Sequence, residues 1–369
     1  MRVQIPMRGL NSVNNALAAL TLDPSQQHRK DGLDWHAEFN SNTLGALDVD
    51  LGETFHLNSV VCSASFSPDG KFLAVGYNSG ASIYRLEDSR MVVQLGGVEP
   101  PPVDNYVRSL CFSPNGMLLV TGSEDGILRV WNNATGSLYR TFPDSPSHPG
   151  FGNSDIYAVA VSTDGHLIAS GGANKIVTLN DLSSLEISWK FMNIEVSDGV
   201  CSLATSSDCQ FIAAGLVDGS IVIWNISGSN ERRINKATEN SPDGHKDAAY
   251  SISFSPDGSL LFSGSLDHTV KAWDFRSASV PLVRTYHGPT DYVVSVSVTR
   301  DSKWLLAGSK DRSVYIWNIS TGLLHLKLSG HKNTVISVAA SPTEDAFVTA
   351  SGDMTVRKNP KSEFKCKAA

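Results

Sequence analysis

The sequence predicts an all-β molecule, a seven-bladed β-propeller closed by an N-terminal strand, and three observations carry that prediction. A turn of the SPDG type recurs, its third residue falling at Asp69, Asn115, Asp164, Asp208, Asp257, Asp301 and Thr343, spaced by 46, 49, 44, 49, 44 and 42 residues. An aromatic or its replacement ends the third strand of every copy, at Tyr84, Trp131, Asn180, Trp224, Trp273, Trp317 and Asn359. Each lies 16 residues past its turn, except Tyr84 at 15. The last copy ends with only ten residues of the 369-residue chain remaining, so its outer strand must come from elsewhere. The alternating apolar and acidic stretch LDVDL at 47–51 fits that role, because pairing the two ends of a ring removes an exposed sheet edge.

Within a copy each element has a local reason. In the fifth, residues 250–254 form an apolar strand, and the Pro and Gly of SPDG at 255–258 preset the turn dihedrals. Residues 260–263 return, GSLD at 264–267 turns again, and residues 270–273 alternate with the period of two that a strand requires. A unit of about 40–45 residues with this signature is the WD-repeat blade, a four-stranded sheet that buries both faces only by stacking around a ring. The expected organisation is a flexible segment over 1–33, the propeller over 34–359 and a basic tail over 360–369. Two long loops, 143–154 and 228–240, are expected between blades.

The recurring His245, Ser263, Asp267 and Trp273 look at first like a catalytic set. Their repetition with variation, as in His331, Thr349 and Asp353, marks them instead as a scaffold hydrogen-bond chain that satisfies buried polar groups. The third copy has Asn174 and Asn180 where Asp and Trp belong, and the seventh has Asn359 for Trp, so those two blades are expected to be the least stable. No GxxxxGK[ST], GxSxG or HExxH pattern occurs, and DVDLGE at 48–53 lacks the Gly position and distal Glu of a calcium loop. No cofactor, resident metal or enzyme activity is expected.

The net charge of −7 argues against direct contact with nucleic acid, and no apolar run approaches the roughly 18 residues of a membrane span. Five cysteines without a CxxC spacing fit reduced thiols, in the nucleus or also the cytoplasm.

The non-repeated residues are more specific. DWHAEFN at 34–40, LDVDL at 47–51 and SVVCSASF at 59–66 are followed by YVRS at 106–109 and DIY at 155–157. GHKD at 244–247 with YSI at 250–252, GSKDR at 308–312, and GHKN at 330–333 with VISV at 335–338 complete the series. This series resembles, over about residues 34–358, the propeller of fungal Tup-type general transcriptional corepressors, counterparts of animal Groucho. The resemblance implies a non-enzymatic scaffold whose narrower face binds short peptide segments of DNA-bound transcription factors. The family's N-terminal helical segment, which tetramerises and binds a TPR-repeat partner, has no counterpart in the residues before Asp34, so neither the tetramer nor that partner is expected.

The residues seven positions before each turn landmark reach the same face independently. That ring reads Cys62, Arg108, Tyr157, Cys201, Tyr250, Val294 and Ile336, with Tyr106, Tyr292 and Asn333 beside it. Aromatics, an Arg and small apolar residues around one concavity suit peptide recognition. The resemblance favours Cys62, Tyr106, Tyr157, Tyr250 and Asn333 among them. The competing reading is a substrate receptor of a cullin-type ubiquitin ligase, prompted by WDFR at 273–276, which ends in Arg276.

Overall fold

The computed structural model describes residues 27–40, 47–96, 104–142, 154–182, 192–226, 231–235, 237 and 242–362, and every regular element in them is a strand. Seven antiparallel sheets follow one another along the chain. The fifth blade is typical, with Ala249–Phe254 innermost, then Leu261–Ser265, Val270–Trp273 and Leu282–Tyr286 outermost. The turns form as their residues dictate. Ser255 Oγ donates to Asp257 Oδ1 at 2.6 Å and accepts from Leu260 N at 2.9 Å, while Gly258 takes a left-handed φ of 69°. Cys209 and Ser302 occupy the same left-handed position at φ 57° and 54°, where a side chain is strained.

The core lies between blades rather than within them. Phe211, Ile221 and Ile223 of the fourth blade interlock with Ile252, Phe254, Leu261 and Trp273 of the fifth, and an equivalent cluster fills each junction around the ring. Burying these faces is the main drive to close the ring, because no blade covers itself.

Closure differs in detail from the sequence reading. Within residues 47–51 only Asp48–Val49 forms a strand, pairing Ser362 and Lys361 near the end of the last long strand, Thr355–Ser362. The outer strand of the seventh blade proper is Glu53–His56, which pairs Lys358 back to Thr355. Phe55, buried on the blade face, explains the choice, because it anchors this strand in the core between the seventh and first blades.

The expected boundary at Asp34 also moves. Gln27–Asp31 pairs His36–Asn40, and the latter pairs the outer strand of the sixth blade, making that sheet six-stranded. Ala37 and Phe39 of the second strand point into the core, whereas the charged first strand, QHRKD, gives no sign in the sequence of joining a sheet. Lys30 reaches Asp48 at 3.0 Å and Asp50 at 2.6 Å, and buried Arg357 holds Asp34 at 2.6 Å, so the hairpin ties the sixth blade to the seventh. Residues 1–26 of the expected flexible segment lie outside the described residues, as do residues 363–369 of the expected tail, whose first three residues continue the last strand. Residues 143–153 also lie outside them, whereas within 228–240 the segment Glu231–Ile234 is the outer strand of the fourth blade.

Candidate functional site

All seven ring residues line one cavity of about 450 Å³ at the axis of the propeller. A backbone irregularity puts them there. In the second to seventh blades the ladder between the two inner strands skips one residue, and the skipped residue is Arg108, Tyr157, Cys201, Tyr250, Val294 or Ile336. A residue left out of the ladder by a bulge is re-aimed, here toward the axis. Cys62 holds the corresponding place just before the first inner strand, its N–H donating to Gly76 O at 3.0 Å. Nothing in the hydrophobic pattern signals these bulges.

One position further in is a layer that the sequence reading missed. Ser63, Ser109, Ser202, Ser251, Ser295 and Ser337 each accept, through Oγ, a hydrogen bond of 2.9–3.3 Å from a backbone N–H of the next blade. Ser337 bonding Ala64 completes the circle from the last blade to the first. The third blade breaks the series with Ala158, and Thr205 Oγ1 donates across that junction to Val161 O at 3.0 Å. The signal was available, since a serine stands six residues before the turn landmark in six of the seven copies.

The cavity mouth is polar on one side. Arg108 donates to Glu124 through Nε at 2.8 Å and through Nη2, lies 5.2 Å from the centre of the Tyr106 ring, and places Nη1 3.9 Å from Cys62 Sγ. Tyr157 donates its hydroxyl to Asp155 at 2.9 Å. Tyr250, 41% exposed, presents its ring to solvent. Burial pushes the Cys62 thiol up, and burial with Asp198 and Asp218 pushes Cys201 up to about 12, so both are neutral thiols at physiological pH and weak nucleophiles. Phenols, neutral thiols, aliphatic side chains and an already paired guanidinium make a surface suited to binding rather than to proton transfer.

Tyr106 and Asn333 do not line this cavity. Tyr106 sits half-buried behind Arg108, and Asn333 is exposed on the seventh-blade rim, where its Oδ1 accepts from Thr334 N at 2.8 Å. Tyr292 is also outside it, beneath Lys310, whose Nζ lies 4.6 Å from the ring centre.

The scaffold chain is complete in the fifth blade. His245 Nδ1 meets Asp267 Oδ2 at 2.9 Å, His245 Nε2 meets Ser263 Oγ at 2.6 Å, and Trp273 Nε1 donates to the same Oγ at 2.8 Å. Burial holds the His245 pKa below its ordinary value, whereas the bonds and charge of His245 hold the Asp267 carboxyl below the usual carboxylate range despite its own burial. The seventh blade keeps His331 with Asp353 at 2.9 Å and Thr349 at 2.8 Å. In the sixth blade Tyr315 and Thr290 both donate to Asp311, and Trp317 donates to His287 O at 3.1 Å. Arg276, the residue behind the ligase-receptor reading, is held within the molecule, its Nη2 2.7 Å from Asp208 Oδ2 and its Nε donating to Gly258 O at 3.0 Å.

Comparison with known proteins agrees with this architecture. The family model described as WD domain, G-beta repeat matches residues 52–84, 102–132, 137–181, 192–225, 238–274, 281–318 and 322–358. The general transcriptional corepressor tupA of Dictyostelium discoideum is 39% identical over 119 residues, 32% of this chain and 21% of that protein. The transcriptional repressor rco-1 of Neurospora crassa is 40% identical over 134 residues, 36% of this chain and 22% of that protein. The nuclear distribution protein nudF of Emericella nidulans is 29% identical over 209 residues, 51% of this chain and 44% of that protein. The matched regions thus span about a fifth of the two repressors. Seven matched repeats and seven blades in one closed ring make this chain a member of the WD-domain, G-beta repeat family.

Proposed function

We propose that the chain is a non-enzymatic scaffold whose channel-mouth face binds short peptide segments of DNA-bound transcription factors, in the manner of a transcriptional corepressor. The observation that carries the reading is the ring from Cys62 to Ile336 around one cavity, six of its seven residues at bulges, with Tyr157 and Tyr250 as aromatic anchors. Aromatic side chains in a concavity are where peptide-binding energy concentrates. The similarity to two proteins named as transcriptional repressors supports a role in transcription, which favours transcription factors as the class of partner and the nucleus as the place of action. Tyr106 and Asn333 extend the surface outward from the mouth. The net charge of −7 and the acidic groups Glu124 and Asp155 at the mouth favour protein segments over nucleic acid.

The test is affinity capture from nuclear extract with the natural chain and a Tyr157→Ala/Tyr250→Ala variant whose thermal melt is unchanged. Capture of transcription factors by the natural chain, reduced at least about tenfold in the variant, supports the reading. Equal capture by both proteins, or recovery of ubiquitin-ligase subunits instead, overturns it.

A further inference from the structure

The SPDG-type turns end the inner strands, so they lie at the opposite end of the blades from the ring residues, which begin them. At that lower rim, the residue two positions past the third-strand aromatic closes the junction with the preceding blade. It is apolar at Leu86, Leu182, Ile226, Phe275 and Ile319, and each packs into its junction's core. In the second blade the position is Asn133. Its backbone is equivalent, because Asn133 N bonds Met117 O as Leu86 N bonds Lys71 O and Ile319 N bonds Lys303 O, all at 2.9 Å. The side chain alone is different.

The result is a cavity of about 290 Å³ between the first and second blades, floored by Phe72, Ile83 and Phe112. Its rim exposes Val92 and Met117, the latter 66% exposed. Asn133 Nδ2 donates to Gly116 O at 2.8 Å, but its Oδ1 is buried without a hydrogen-bond partner. An orphaned buried acceptor beside an open apolar cleft calls for a donor on an apolar stem.

The junction between the fourth and fifth blades displays the same groove filled. There the Arg276 guanidinium lies 5.4 Å from the centre of the Phe211 ring and 4.8 Å from that of Phe275. It also holds Gly258 O and Asp208 Oδ2, as described above. Position by position, Phe211, Asp208 and Gly258 correspond to Phe72, Asp69 and Gly116, while Arg276 corresponds to the exposed Ala134. The neighbourhood is preserved as well, since the turn glycine faces Ser207 of the preceding turn in one case and Pro68 in the other. Asp69 Oδ1 is used by Ser67 Oγ at 2.6 Å and Lys71 N at 3.1 Å, and its Oδ2 stands 4.0 Å from Lys71 Nζ, 52% of the side chain being exposed. The receiving groups are therefore present and the arginine is missing.

We propose that this groove binds an arginine side chain on a segment of a partner protein. The aliphatic stem covers Val92 and Met117, the guanidinium stacks on Phe72, donates to Asn133 Oδ1 and pairs with Asp69. A leucine or methionine would leave Asn133 Oδ1 unanswered, and a lysine lacks the planar fork that stacks and donates at once. The inference is independent of the channel mouth, at the other end of the blades.

The test is an NMR titration of the full chain, with labelled methionine methyls, using N-acetyl-arginine amide as the probe and its uncharged isostere N-acetyl-citrulline amide as the control. The expected result is a saturable millimolar shift of the Met117 methyl with the arginine probe, none with the control, and no change in the Tyr157→Ala/Tyr250→Ala variant. Asp69→Asn should weaken the response about two- to fivefold, as for one exposed ion pair. Ala134→Arg, at an exposed position, supplies the guanidinium from within and should abolish it, with folding checked by thermal melt. An equal response to the citrulline probe, or an undiminished response in folded Ala134→Arg, overturns the proposal.

Discussion

The fifth and third blades share four antiparallel strands and the register of their two inner ladders, yet they differ in what lies at the heart of the sheet. In the fifth, Trp273 is 1% exposed and donates to Ser263, which in turn meets His245 and through it Asp267. In the third, Asn180 occupies the Trp position at the same 1% exposure, and neither atom of its amide has a hydrogen-bond partner. The backbone is indifferent to this exchange: Ile168 pairs Asn180 as Leu261 pairs Trp273. Turn chemistry and alternating burial thus specify the blade, while the polar chain sets how firmly it is held.

The largest effect expected is on the fifth blade. Trp273→Ala removes a fully buried side chain and leaves Ser263 without a donor, and should lower unfolding free energy by about 3–5 kcal/mol in chemical denaturation. A loss no greater than that of Asn180→Ala would break the comparison. Next in size, Asn180→Leu replaces an orphaned amide with an apolar group of similar volume and should stabilise by about 1–2 kcal/mol. No gain in denaturation midpoint would mean that the amide is satisfied in solution. The smallest effect is on pH dependence. The folded His245 pKa lies below its unfolded value near 6.5, so its contribution is complete above that value and is lost as pH falls and the opened state takes up the proton. The third-blade pair of Asn174 and Asn180 has no group titrating in that range. Hydrogen-exchange protection, corrected for intrinsic rates, should favour the fifth blade over the third at pH 7, and that gap should narrow by pH 5.5. A constant gap would remove His245 from the account.

The seventh blade sharpens the contrast. From the sequence it is grouped with the third as weak, because both lack the Trp. In the structure it retains both His331 contacts, and Asn359 Nδ2 donates to Arg357 O at 3.1 Å, so its replacement amide is paired where Asn180 is not. Loss of one named residue is legible in a sequence; whether a neighbour satisfies its substitute is not.

The same limit separates what the sequence reading captured at the channel from what it missed. Counting back from each turn located seven of the residues that line the cavity, because the turn and the inner strand are rigidly in phase. Tyr106 and Asn333 fall outside that count and outside the cavity. The bulges are invisible because they need no special residue: Arg, Tyr, Cys, Val and Ile all occupy them. Residues 27–31 read as part of a flexible segment because they join the fold only through residues 36–40, which pair the edge of a blade almost 300 residues away. The groove at Asn133 was hidden for the opposite reason, since asparagine after a strand reads as ordinary turn chemistry.

The tie between Arg357 and Asp34 spans 323 residues and has a consequence in time. At a synthesis rate of about 5–20 residues per second, the N-terminal hairpin waits roughly 15–65 s for its partner to leave the ribosome. Throughout that interval Glu53–His56 has no strand to pair and the seventh-to-first serine bond has no acceptor. A nascent chain of this design spends that interval as an open arc with a sticky edge at each end, so its cellular yield depends on whatever shields those edges until the last strand arrives.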